Sequence, residues 1–155
     1  MAKPPYVPPY ADHADAIPND TILFRRVPPD FIDWDVLDRD GRPRITAGAF
    51  QDYGKKLIAA LNYPAPAMSV ALATILEEDG IAPQQLLADY GPTYGIARFA
   101  AGLARQNNQG VQADPIPTLR AHALVFSMVA RKRSGEAMEG LAAGAKWEIP
   151  PTARP

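Results

Sequence analysis

A chain of 155 residues and 16.8 kDa, 47% hydrophobic and 21% charged, has the size of one ordinary domain. Folding at that length buries roughly 68–70% of the unfolded surface, so neither a metal nor a disulfide staple is needed. Sixteen basic residues against 17 acidic ones leave a net charge of −1, which argues against general nucleic-acid binding through clustered cations. No apolar run is long enough for a membrane span, and no charged segment followed by an apolar stretch reads as a secretory leader. With no cysteine, disulfides, Fe–S clusters, zinc–thiolate sites and thiol nucleophiles are excluded, a composition that fits a cytoplasmic protein.

The chain opens with Pro4, Pro5, Pro8, Pro9 and Pro18, interleaved with Tyr6 and Tyr10. Proline removes an N–H and biases its predecessor toward extended geometry, so residues 1–19 read as a polyproline-like arm, either loose or laid through its tyrosines on a neighbour. Pro150, Pro151 and Pro155 stop the chain at the other end, leaving 20–149 as the globular unit and 150–155 as a tail. Thr21–Val27, β-branched and apolar and closed by Pro28-Pro29, reads as a strand. Asp40-Gly41 between DFIDWDVL and RPRI is a hairpin turn signal. From Thr46, a candidate N-cap, Ala49, Phe50, Tyr53, Leu57, Ala60 and Leu61 recur at helical spacing until Pro64. A second helix is expected over Ser69–Glu78, capped by Ser69 and stopped by Gly80, and a short one from Pro83 to Asp89. Residues 93–105 suit either a helix or a strand entering a turn at Gly102, and 106–118 read as a polar loop. Leu119–Val129 is the strongest strand signal, Arg131–Lys146 a helix weakened by Gly135, Gly140 and Gly144, and Trp147–Ile149 a closing strand. Strands and helices alternate without a βαβ rhythm. The expected fold is α+β: one domain with a small mixed or antiparallel sheet packed by several helices.

Complete catalytic signatures are missing: there is no phosphate-binding glycine loop, no HExxH, no GxSxG and no EF-hand pattern. In the acidic stretch Asp30–Asp40, the calcium loop's Gly and Glu positions fall on Asp38 and Arg44, or on Asp40 and Thr46. The two histidines are His13, in the arm, and His122, so a two-histidine metal site requires the arm to fold back and no metal or other cofactor is expected. A Ser-His-Asp triad would have to use His122, and no serine lies in an elbow motif. Period two puts Arg120, His122, Leu124 and Phe126 on one strand face, where His122 is either a hydrogen-bonded core residue or a cleft histidine that orients a ligand or moves a proton. Arg25 and Arg26 are adjacent on a strand, so one faces inward; a buried guanidinium calls for a carboxylate or phosphate, and the nearby aspartates Asp20, Asp30, Asp33, Asp35 and Asp38 offer the former. Arg42 and Arg44 flank Pro43 and either add to an anion pocket or lie in a solvated turn. Arg131-Lys132-Arg133 opens the last helix, where the dipole disfavours cations unless a phosphate or an acidic partner meets them.

Thr21-Ile-Leu-Phe-Arg-Arg-Val-Pro28, Asp40-Gly-Arg-Pro-Arg-Ile-Thr46 with Ala49-Phe50, and Met68-Ser-Val70 occur in that order. Ala104-Arg105, Gly110-Val111, Asp114-Pro115-Ile-Pro117, Ala121-His-Ala-Leu-Val125 and Lys146-Trp147 follow. Over about residues 19–149 this series resembles a family of small, largely uncharacterised bacterial proteins, which implies a shared fold and no particular activity. The chain departs from that pattern after the histidine strand, where Ser127-Met-Val-Ala-Arg-Lys-Arg133 replaces a Gly-Lys-Lys stretch. A fainter likeness is to ADP-ribosyltransferase-like folds, including RES-domain NAD-degrading toxins. It implies that Phe24-Arg25 would hold NAD phosphates and Ser69 would shape a nicotinamide pocket, while Glu136, Glu139 and Glu148 stand outside the family's catalytic glutamate context.

Two functional expectations follow. One is a binding or accessory protein whose proline-rich arm and last helix contact a protein partner or a second copy. The other is a nucleotide- or NAD-directed enzyme built on Arg25, Arg44, Ser69 and His122. Convergence of Arg25 and His122 on one concave pocket, lined by Ser69 or Arg44, is the geometry that favours the enzyme.

Overall fold

A computed structural model describes residues 4–155, so the first three residues of the arm lie outside the described residues. The chain is α+β: a six-stranded sheet in the order β6-β7-β4-β1-β5-β8, plus a separate two-stranded hairpin, β2-β3. The strands are β1 (Ile22–Val27), β2 (Ile32–Leu37), β3 (Pro43–Ile45), β4 (Met68–Leu72), β5 (Gly95–Ala100), β6 (Gln109–Ala113), β7 (His122–Ser127) and β8 (Lys146–Ile149). The helices are α1 (Lys55–Leu61), α2 (Ala73–Glu78), α3 (Ala101–Gln106) and α4 (Gly135–Gly144). Every strand pair is antiparallel. No helix among the described residues is long and apolar enough to cross a membrane.

Strand parity sorts the side chains into two layers. Leu23, Val27, Val70, Leu72, Phe99, Val111 and Val125 join Phe50, Leu141 and Trp147 in the main core on one face. On the other, Phe24, Ala71 and Ile96 pack against Leu76 of α2, and Leu124 and Phe126 against Tyr10, Ala65 and Ala67. β7 is covered on both sides and buried throughout, which is why it reads as a continuous apolar run.

Several local expectations are corrected. The helix expected from Thr46 is a 3-10 turn (Ala47–Phe50), an extended stretch, and then α1 after Gly54. Thr46 caps nothing, because its hydroxyl donates to the Phe31 carbonyl at 2.9 Å. Ser69 lies inside β4 rather than at a helix start: Met68, Val70 and Leu72 alternate into the core, and the helix begins only at Ala73. The polar 106–118 loop contains β6, whose Gln109 is 2% exposed because its amide oxygen accepts from the buried Arg133. Residues 93–105 take both readings in succession, β5 and then α3. The eleven-residue strand contracts to β7, since Ile116 and Leu119 close a turn just before it. The basic run precedes α4 rather than opening it: Ser134 is the N-cap, its hydroxyl accepting from the Ala137 amide at 3.1 Å. Gly41, at φ 75°, makes the tight hairpin turn that Asp40-Gly41 announces.

From Tyr10 onward the proline-rich arm is laid on the rest of the chain, while Val7 before it is 78% exposed. Tyr10 is 8% exposed, packs its ring at a tilt against Phe126 and donates its hydroxyl to the Ala65 carbonyl at 2.5 Å. The His13 amide donates to Val111, the Ala113 amide to His13 Nδ1, and Asp12 meets Arg105 at 3.0 Å. Burial pushes the Asp12 carboxyl up, but hydrogen bonds from Arg105 and the Val111 amide outweigh it and hold the group below the ordinary aspartate value. A depressed carboxylate stabilises the folded state above its unfolded pKa, and that contribution disappears as pH falls through the folded value. Amide exchange at His13 and Ile17, corrected for its intrinsic rate, is therefore expected to accelerate below about pH 4. Asp12→Asn is expected to show the faster exchange already at neutral pH. Protection that does not change across that range contradicts this role of Asp12.

Candidate functional site

β4 and β7 pair with Ala71 opposite His122 and Ser69 opposite Leu124. Directly opposed residues of an antiparallel pair share a face, so Ser69 and His122 stand diagonally on one side of the sheet. There His122 Nε2 lies 2.5 Å from Ser69 Oγ. The other ring nitrogen, Nδ1, lies 2.9 Å from the Asp114 main-chain oxygen and 3.1 Å from its carboxylate. Asp114 is placed by β6, which it leaves with its amide donating to the His122 carbonyl at 2.9 Å. Tyr63 completes the chain, its hydroxyl donating to the same Asp114 carboxylate at 2.7 Å. Burial, together with the hydrogen bond to that carboxylate, pushes the Tyr63 pKa up and keeps it a donor.

Two acceptors face Nδ1, so in a neutral imidazole these partners favour the proton on Nδ1, with Nε2 presenting its lone pair to the Ser69 hydroxyl. His122 is 6% exposed and Asp114 keeps a partly open side chain, so the relay runs from a nearly dry imidazole toward solvent. Ser69 and His122 line a cleft of about 580 Å³ with Tyr53, Tyr63, Arg26 and Tyr90. The Tyr53 and Tyr63 rings stack within 9° of parallel, forming one wall. The Arg26 guanidinium lies 3.9 Å over the Tyr90 ring and donates to the Leu86 carbonyl at 3.2 Å, which ties the 3-10 turn Pro83–Leu87 to β1.

Of the four residues expected to form a pocket, the structure brings Ser69 and His122 together. Arg25 points the other way: Phe24 pairs with Ala71 and Ala71 with His122, so Phe24 and Arg26 share the His122 face and Arg25 does not. The pairing of β1 with β4 stops at Phe24 and Ala71, and Arg25 bridges the opening beyond, donating to the Ser69 carbonyl at 3.0 Å and the Ala49 carbonyl at 3.0 Å. Main-chain oxygens thus satisfy this arginine instead of the expected carboxylate or phosphate. Burial lowers its pKa to about 10, and it remains a cation at neutral pH. Arg44 pairs with Asp33 at 3.1 Å and lines a separate cleft between the hairpin and β8. Glu136, Glu139 and Glu148 do not line the Ser69 cleft.

Asp114, Tyr63 and Tyr90 were not expected at this site. Asp114 read as part of the polar 106–118 loop, and only the strand register of β6 against β7 exposes its place beside His122. No protein-family model, curated protein or solved structure matches the chain.

Proposed function

We propose that this chain is a small serine hydrolase, or acyl transferase, in which Ser69 is the nucleophile and His122 its general base. The observation that carries this reading is the unbroken series Ser69 Oγ–His122 Nε2 and His122 Nδ1–Asp114. Such a set is recognised by geometry and roles, and it recurs on unrelated folds. The Ser69 oxygen forms a bond to the substrate carbonyl carbon as its proton passes to Nε2. Asp114, steadied by Tyr63, holds the imidazolium so formed. Collapse of the tetrahedral intermediate expels the leaving group, which takes the proton from Nε2. Water, deprotonated by the same nitrogen, then releases the acyl group and restores Ser69. Arg26, braced on Tyr90, adds a fixed positive charge to the cleft, which suits a substrate carrying an acidic group.

Two observations favour this reading over the expected alternatives. Tyr10, Asp12 and Ile17 are engaged within the chain, so the arm from Tyr10 onward is not free to reach for a partner. Arg25 is engaged by main-chain carbonyls behind the sheet, which removes the phosphate clamp an NAD-directed site requires. The test is turnover of short p-nitrophenyl esters by the full chain, with and without an acidic group on the acyl part. Ser69→Ala is expected to abolish turnover in a chain that still folds, with the melting temperature lowered because the buried His122 Nε2 loses its partner, at a cost of about 1–3 kcal/mol. Turnover that survives Ser69→Ala contradicts the assignment.

A further inference from the structure

A second cleft, of about 640 Å³, opens between α1 and the segment 131–133 and shares Tyr53 with the Ser69 cleft. Its lining is of two kinds. Ile58, Ala59, Pro66 and Met138 give an apolar floor, and Lys55, Arg131 and Lys132 stand around it. The lining's single carboxylate, Asp52, is already engaged by Arg133 at 2.6 Å. Lys55, Arg131 and Lys132 enter no ion pair among the described residues. Three like charges around one hollow repel each other, in a chain whose overall net charge is −1. The adjoining helix α1 has no buried residue, and its Lys55, Ile58 and Ala59 line this cleft, whereas Leu61 lines the Ser69 cleft. Ile58 and Ala59 are thus left partly open toward the hollow.

We infer that this cleft binds an anionic amphiphile, a ligand that joins a phosphate- or carboxylate-type headgroup to an apolar chain. The headgroup relieves the repulsion among Lys55, Arg131 and Lys132, and the planar fork of Arg131 suits two of its oxygens. The apolar chain lies on Ile58, Pro66 and Met138 under α1. A simple polyanion leaves that floor wet, and a neutral apolar ligand leaves the cations unpaired. The inference goes beyond the Ser69 reading and does not depend on it.

Isothermal titration of the full chain with monomeric dodecyl phosphate, inorganic phosphate and dodecyl maltoside tests it. Dodecyl phosphate is expected to bind more tightly than either of the others. Arg131→Glu/Lys132→Glu is expected to weaken it about tenfold or more, whereas Arg39→Glu/Arg42→Glu, with the same charge change on the distant hairpin, leaves it unaltered. Ser69→Ala is expected to bind as the wild type does, which separates this site from the proposed active site. Sedimentation with phosphatidylglycerol and phosphatidylcholine vesicles assigns the source of the headgroup: retention on the former alone identifies a lipid surface, and binding of the monomer without retention identifies a free amphiphile. Inorganic phosphate binding as tightly as dodecyl phosphate, maltoside binding as tightly, or equal weakening by both charge-reversed variants overturns the inference.

Discussion

His122→Gln is expected to lower ester turnover by roughly a million-fold, the scale of losing the general base from a nucleophile–base unit. Glutamine has similar reach and retains a hydrogen-bonding group for Ser69, but no nitrogen that can take a proton at neutral pH. Asp114→Asn is expected to behave differently. A triad whose aspartate alone fixes the tautomer loses about 10,000-fold when that residue becomes an amide, because the imidazole proton moves to the wrong nitrogen. Here the Asp114 main-chain oxygen also faces Nδ1, at 2.9 Å, and that acceptor survives the substitution. Only the charge opposite the imidazolium is removed, from a side chain already partly open to solvent. The expected loss is therefore smaller, about 100-fold. Steady-state kcat/KM for the two variants, alongside their melting curves, checks both numbers. An Asp114→Asn loss as large as that of His122→Gln contradicts the role assigned to the main-chain oxygen.

Removing the Arg133 guanidinium is expected to have the largest effect on stability. The side chain is fully buried, and its donors reach Gln109 Oε1 at 2.9 Å, the Phe50 carbonyl at 2.8 Å, the Val125 carbonyl at 2.7 Å and Asp52 at 2.6 Å. Burial pushes its pKa down, with Asp52 acting in the opposite sense. The bonds tie β6, β7 and the 50–52 segment together beneath Tyr53, so one residue fixes the sheet to the wall of the Ser69 cleft. Arg133→Ala leaves the Asp52 carboxylate without its counter-charge and two buried carbonyls without donors, a change that costs about 3–5 kcal/mol. For a chain of 155 residues that corresponds to a fall in Tm of about 10 °C. A second change at the same pair, Asp52→Ala in the Arg133→Ala background, is expected to return only part of the loss: the uncompensated buried charge goes, and with it the acceptor that Asp52 offers the main-chain amide of residue 133 at 2.8 Å. Thermal unfolding of the single and double variants measures both. A single variant within about 1 kcal/mol of wild type contradicts the account of this cluster.

The fold class, the β1 strand, the hairpin at Asp40-Gly41 and the closing strand were legible because each rests on local chemistry: bounding prolines, a turn dipeptide, an apolar run. Ser69 and His122 were legible as candidates, but their juxtaposition was not, since Ser69 read as a helix cap until its neighbours Met68, Val70 and Leu72 turned out to alternate into a core. The choice between Arg25 and Arg26 needed one fact no local pattern holds, the register of β1 on β4. A shift of a single residue exchanges the faces of both arginines. Asp114 was hidden for the same reason. Asp114 and Pro115 lie in the expected loop just before the turn closed by Ile116 and Leu119, while the partnership of Asp114 with His122 depends on β6, a strand disguised by Gln109 and Gln112. Gln109 is polar because a buried arginine from elsewhere in the chain requires an acceptor there. Two glycines of α4, Gly140 and Gly144, likewise mark close approaches, since a Cβ at Gly144 would lie 2.5 Å from the Leu103 side chain of α3 and one at Gly140 would meet the Asn107 side chain.

That Ser69 is an activated nucleophile can be read in one measurement: the intact mass of the full chain after exposure to a fluorophosphonate, with the modified residue located by peptide sequencing. The proposed chemistry predicts a single stoichiometric adduct on Ser69, formed by the wild type and not by His122→Gln. An unmodified Ser69, or a Ser69 adduct that forms as fast without the imidazole, contradicts it.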